Sequence, residues 1–338
     1  MSGERVHCVR HSMEVAAPAG AVYALLADAV RRPLYCPPVL HVERLDFDGT
    51  RERLRMWESA GGHIRSSMWV RVQHPHERRI EFVRLTHEAP VESMGGEWTV
   101  EEAAGGRSAV TVRHEFTVAG DHGDDVAWVG LVTGDSARAE LESLRRIAEN
   151  RDGLDDLVLS FEEEVRVNGP GELVYDFLYR AADLPDLAPR VRHFELTESS
   201  PGVQVLGYEE RLPDGAVRTT GAVRLCFPHA GRIVYKQTAP SAPVAAHTGE
   251  WSVLPDEHGV RVVARHSVLL DETVVRSVPG AGIFAPGPAP SGLEGARIRL
   301  REAIGRSSLA TLELAGRHAE SAVRTLPRRP AVAADSPR

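Results

Sequence analysis

Met94-Gly95-Gly96-Glu97-Trp98 in the first half returns 153 residues on as His247-Thr248-Gly249-Glu250-Trp251. The echo runs outward in both directions. Arg71, Pro75, His76 and Ile80 return at the same offset as Arg224, Pro228, His229 and Ile233. Tyr23 and His41-Val42-Glu43 return 152 residues on as Tyr175 and His193-Phe194-Glu195, and Arg113-His114 returns as Arg265-His266. A register that drifts by one residue between Tyr23 and His114 marks a duplication. The chain therefore reads as two copies of one domain, 1–152 and 153–325, with a Pro-, Ala- and Arg-rich tail, 326–338, expected to be disordered.

Composition agrees with a two-domain globular protein. Of 338 residues, 42% are hydrophobic and 26% charged, so each half can bury a core. The net charge of −8 argues against nucleic acid as a partner. No apolar run reaches the roughly 18 residues of a membrane helix, and no basic-then-apolar leader opens the chain. Three scattered cysteines, Cys8, Cys36 and Cys226, fit a reducing cytoplasm and no metal-ligand spacing. Lys236, the one lysine of the chain, is expected to be a solvated strand residue. No phosphate loop, metal cluster or nucleophile elbow is present, so neither a metal nor a cofactor is expected.

Each copy spells the same elements. A short strand (12–16; 161–167) precedes a Pro turn and a helix striped by Val22, Leu25, Leu26 and Ala29, or by Val174, Phe177, Leu178 and Ala181. About six short antiparallel strands follow, parted by turns such as Asp48-Gly49 and Asp214-Gly215. A longer helix closes each copy. Leu141, Leu144, Ile147 and Ala148 stripe the first, and Leu312 and Glu320 stand in the second where Leu141 and Glu149 stand in the first. A Pro-rich insertion, 279–292, precedes the second closing helix. The fold class is α+β: a tandem helix-grip domain, each copy a curved antiparallel sheet around a long C-terminal helix, with a cavity between them.

Several segments resemble the bacterial type II polyketide aromatase/cyclases in their two-domain form. They are Pro37-Pro38-Val39-Leu40-His41-Val42-Glu43-Arg44-Leu45, Pro90 to Trp98, Ile233-Val234-Tyr235-Lys236-Gln237, His247 to Trp251 and Ser308-Leu309-Ala310-Thr311-Leu312. The resemblance covers about residues 8–323. It implies a START-like fold in each half and aldol closure and dehydration of an enzyme-bound poly-β-ketone. It also implies an acyl carrier protein presenting the chain on a phosphopantetheine arm, alongside other type II polyketide synthase components. A carrier of hydrophobic small molecules on the same fold is the alternative; polar groups inside the cavities favour the enzyme.

Such chemistry needs a donor for a developing oxyanion and a group that moves protons. The resemblance places Arg71, and its mate Arg224, inside the cavity; strand alternation alone would put Ile64, Met68, Val70 and Val72 inward and Arg71 in solvent. His114 shares a face with Val110, Val112 and Phe116, and His266 with Val262, Ala264 and Val268, so both imidazoles face inward as candidate acid/bases. His247 replaces Met94 and predicts a more polar second cavity suited to dehydration. Trp69, Met94, Trp98 and Trp251 are candidate substrate contacts. Asp135, read as lying near the start of the first closing helix, completes the set.

Overall fold

The structure, a computed structural model, describes residues 5–60, 62–150, 153–180, 191–211, 215, 217–277 and 292–324. It divides into two compact units, one of Met1–Val158 with Val244–Thr248 and Val268–Asp271, the other of Leu159–Pro243, Gly249–Ser267 and the residues from Glu272 on. The tail, most of the 279–292 insertion, Ala181 and Asp214 lie outside the described residues.

The first copy opens with β1 (His7–Val15) and α1 (Ala19–Ala27). Pro18 sets the extended backbone from which α1 starts, and Val22, Tyr23 and Leu26 turn its apolar side inward. Asp28 ends the helix and accepts from the Arg31 N–H, and Pro33 sits in the first turn of the short α2 (Arg32–Tyr35). Six strands then run as a meander: β2 (Val39–Phe47), β3 (Arg51–Ala60), β4 (His63–His74), β5 (Arg79–Arg84), β6 (Val91–Ala103) and β7 (Arg107–Val118). β1 pairs with β7, so the sheet holds seven antiparallel strands, ordered β1-β7-β6-β5-β4-β3-β2. The opening strand plus the expected six that follow the helix gives this count.

The closing helix α3 (Gly123–Glu149) lies against β1. Its buried stripe is Val129, Ala137, Leu141, Leu144 and Ala148; the last four pack with α1 and the sheet, and Val129 packs with Phe116 and Val118 of β7. At its end Glu149 accepts from the Ala16 N–H at 3.0 Å, tying the helix to the strand that opens the copy.

The second copy repeats this plan after a short α4 (Leu154–Leu157). Its elements are β8 (Val158–Val167), α5 (Gly171–Tyr179), β9 (Val191–Ser200), β10 (Val203–Arg211), β11 (Val217–Phe227), β12 (Arg232–Gln237), β13 (Val244–Asp256), β14 (Gly259–Leu270), α6 (Glu272–Ser277) and α7 (Gly292–Arg324). The strand order, β8-β14-β13-β12-β11-β10-β9, is that of the first copy. Leu312 is fully buried, like Leu141, and Glu320 accepts from the Asn168 N–H at 3.0 Å, as Glu149 does from Ala16. The alignment of the two closing helices thus holds at both residues. Lys236 departs from expectation: on β12 it is 5% exposed rather than solvated.

Candidate active site

The first copy encloses a cavity of about 270 Å³ between its sheet, α1, α2 and α3. Arg71, His114, Trp69, Met94 and Trp98, all read from the sequence as site residues, lie on its wall. Phe82 and Leu144 add apolar surface.

Arg71 faces inward, against the alternation argument. On β4 the inward row is Ser67, Trp69 and Arg71, with Ser67 and Arg71 buried, while Met68, Val70 and Val72 take the other face. The reason is the cavity: this face of β4 borders a hollow rather than a packed core, so it admits Ser67 and Arg71 beside Trp69. Arg71 Nη2 donates to the Leu26 carbonyl at 2.5 Å, and Nη1 lies 3.4 Å from Glu52 Oε1 without a hydrogen bond of its own. Glu52, fully buried, also holds Arg44 at 2.9 Å and Gln73 at 3.1 Å. Burial lowers the Arg71 guanidinium to about 10 against the pull of Glu52, which leaves it a cation near neutral pH.

His114 sits on β7 with its ring 5.1 Å from that of Phe82, and its buried Nδ1 has no hydrogen-bond partner. Burial lowers its pKa; Glu140 across the cavity opposes that shift, while His11 and Arg32 reinforce it. Trp69 is held by a 2.8 Å bond from its Nε1 to Ser67 Oγ and meets Phe82 edge-on.

Sequence reasoning missed the charged groups of the wall: Glu58 on β3, Arg32 on α2, Arg65 on β4, Arg84 on β5 and Glu140 on α3. Arg32 and Glu140 pair at 2.5 Å. The missed signal was a period of two on β3, where Glu52, Leu54, Met56 and Glu58 share the inward face.

Asp135 requires correction. The closing helix begins at Gly123, with Asp124 and Asp125 in its first turn, so Asp135 falls in mid-helix. Its side chain is exposed, paired with Arg138, and absent from the cavity wall.

In the second copy Arg224 donates to the Leu178 carbonyl, as Arg71 does to Leu26, and lies 5.4 Å over the ring of Trp251. Gln204 stands opposite it in the register where Glu52 stands opposite Arg71. His266 bonds Tyr235 Oη through Nδ1 at 2.8 Å and Ser308 Oγ through Nε2 at 3.0 Å, and stacks on Phe161 at 4.9 Å. Burial and Arg301 lower it to about 4. His247, on β13, is 5% exposed.

Known proteins resemble this chain in sequence and in fold. Residues 6–149 match the model of a family described as polyketide cyclase/dehydrase and lipid transport. The granaticin polyketide synthase bifunctional cyclase/dehydratase of Streptomyces violaceoruber is 33% identical over 318 residues, covering 94% of this chain and 95% of the relative. The actinorhodin polyketide synthase bifunctional cyclase/dehydratase of Streptomyces coelicolor is 33% identical over 334 residues, covering 95% and 98%. Among solved structures, the di-domain ARO/CYC BexL from the BE-7585A biosynthetic pathway superposes with a TM-score of 0.80 at 35% identity, covering 93% of this chain and 99% of BexL. The di-domain ARO/CYC StfQ from the steffimycin pathway follows at 0.78 and 25%, covering 94% and 100%. With a duplicated helix-grip sheet, a largely apolar cavity that holds a few charged groups, and relatives matched nearly end to end, the chain belongs to the family of polyketide synthase bifunctional cyclase/dehydratases.

Proposed function

We propose that this protein is a polyketide aromatase/cyclase working in the cytoplasm, built of the copies 1–152 and 153–325. It takes a poly-β-ketone from the phosphopantetheine arm of an acyl carrier protein, closes the first ring by an aldol reaction and removes water to make it aromatic. The observation that carries this reading is the pairing, on one largely apolar cavity wall, of a buried arginine with an imidazole whose Nδ1 is unpartnered.

Arg71 and His114 have complementary roles. The neutral imidazole of His114 accepts a proton from the methylene between two ketones. Arg71, fixed by Leu26 and Glu52, donates to the oxygen that gains charge as the new carbon–carbon bond forms. Trp69, Phe82 and Trp98 supply flat apolar surface for the folded chain and limit water. The second copy, with His266 engaged at both nitrogens, supports the first rather than serving as the seat of dehydration expected from His247.

Reconstitution with a minimal synthase tests this. Adding the protein is expected to convert misfolded shunt products into one ring-closed aromatic product. An unchanged product profile would overturn the reading.

A further inference from the structure

Glu58 and Arg65 face each other across the β3–β4 hairpin, and the repeat places Glu210 and Arg218 in the same register across β10–β11. In the second copy the two side chains form an ion pair. In the first they do not. Arg65 instead reaches Glu88, at 3.1 Å, in the loop before β6. The residue at the place of Glu88 in the second copy is Ser241, which offers Arg218 no carboxylate. Glu88 thus draws the arginine away and leaves Glu58 on the cavity wall with no ion-pair partner among the described residues.

We propose that Glu58 is a further catalytic residue, the acid that protonates the departing hydroxyl in dehydration. The inference rests on the reading of the first cavity as the reaction site. After ring closure the former ketone carbon bears a hydroxyl, and its neighbour bears a hydrogen. The Glu58 carboxyl gives its proton to the hydroxyl oxygen and the C–O bond breaks. His114 takes the hydrogen of the neighbouring carbon as a proton, and that C–H electron pair becomes the new double bond. One water leaves, and the proton returns from imidazolium to carboxylate through solvent. No oxidant, reductant or co-reactant enters.

The surroundings suit an acid. Burial raises Glu58; Arg32 of α2 lowers it, Glu140 of α3 raises it and Arg84 of β5 lowers it, with the net shift upward. Arg65 of β4, opposite it in register, is engaged with Glu88.

The test is product analysis in the reconstituted system with full-length Glu58→Gln, Glu58→Asp and Glu88→Ser proteins. Glu58→Gln is expected to close the ring at about the wild-type rate but to slow dehydration by about 100-fold, accumulating a hydroxyl-bearing, non-aromatic product. Glu58→Asp should recover part of the loss. Glu88→Ser leaves Glu58 in place but frees Arg65 to pair with it. Its dehydration rate should fall off at lower pH than in wild type, and Arg65→Met in the same protein should reverse that shift. Wild-type aromatic product at wild-type rate from Glu58→Gln would overturn the inference, as would a loss of ring closure in proportion to dehydration. A wild-type protein that gives no more aromatic product than the enzyme-free control would instead overturn the functional reading beneath it.

Discussion

The imidazole of His114 keeps a buried, unpartnered Nδ1, whereas that of His266, at the same place in the other copy, is bonded at both nitrogens. Two substitutions make the difference. Phe82 becomes Tyr235, which brings a hydroxyl, and Ala137 becomes Ser308, which brings another. Gly249 makes room for the first: a Cβ there would lie 2.3 Å from the Tyr235 ring. The carboxylates differ in the opposite sense at one point. Arg71 has Glu52, while Arg224 has the neutral Gln204 in that register. One duplicated scaffold thus carries an open set of titratable groups in its first copy and a closed histidine in its second. Fold survives such divergence because the sheet order, the closing-helix stripe and the Glu149 and Glu320 ties are indifferent to it.

The largest expected contrast is between Arg71→Met and Arg224→Met. Losing the oxyanion donor should cut aromatic product by about 10²–10³, with shunt products taking its place. Arg224→Met should leave the product within about threefold of wild type. Stability should move the other way. Arg71→Met deprives buried Glu52 of a charge partner and should cost about 1–3 kcal/mol, while Arg224→Met removes a buried cation and should be close to neutral in chemical denaturation. Equal product loss from both would break the comparison.

Next comes pH. His266 is held near 4 by burial and by Arg301, below its ordinary value. As the pH falls from about 6.5 toward about 4, the unfolded chain binds a proton that the folded one refuses, so stability present above that window is lost within it. Between about pH 7 and about pH 5 the loss is about 2 kcal/mol in the second copy's unfolding transition. His266→Leu should flatten this slope while costing about 2 kcal/mol near neutral pH, since the hydroxyls of Tyr235 and Ser308 lose their partner. A slope unchanged by His266→Leu would place the titration elsewhere.

The smallest effect should also be the most symmetrical. Glu149→Ala and Glu320→Ala each remove one bond to a backbone N–H, and each should cost about 1 kcal/mol in the unfolding of its own copy. Unequal costs would show that the two closing helices have diverged in their seating as well as in their cavities.

The duplication, the inward row of His114 and the alignment of Glu149 with Glu320 were all legible in the sequence, because each rests on local periodicity or on an offset. Arg71 was not legible from alternation. Period two identifies two faces but assumes that the apolar one turns inward, and a strand that borders a cavity rather than a packed core escapes that assumption. Glu58 was overlooked for a related reason: it reads as a solvated strand carboxylate until β4, β5 and α3 are seen to close over it. Asp135 was misplaced because the hydrophobic stripe is densest toward the helix end, whereas the start is marked by the acidic turn at Asp124 and Asp125.

The central claim is that substrate is handled in the first copy. A phosphopantetheine-linked, unreactive polyketone mimic bearing a photoactivatable group, cross-linked to the full-length protein and mapped by peptide mass spectrometry, tests it most directly. Cross-links are expected on the strands carrying Trp69, Met94 and His114 and on the helix carrying Leu144, with few in the second copy. Cross-links concentrated on the strands of Arg224, His247 and Trp251 would contradict it.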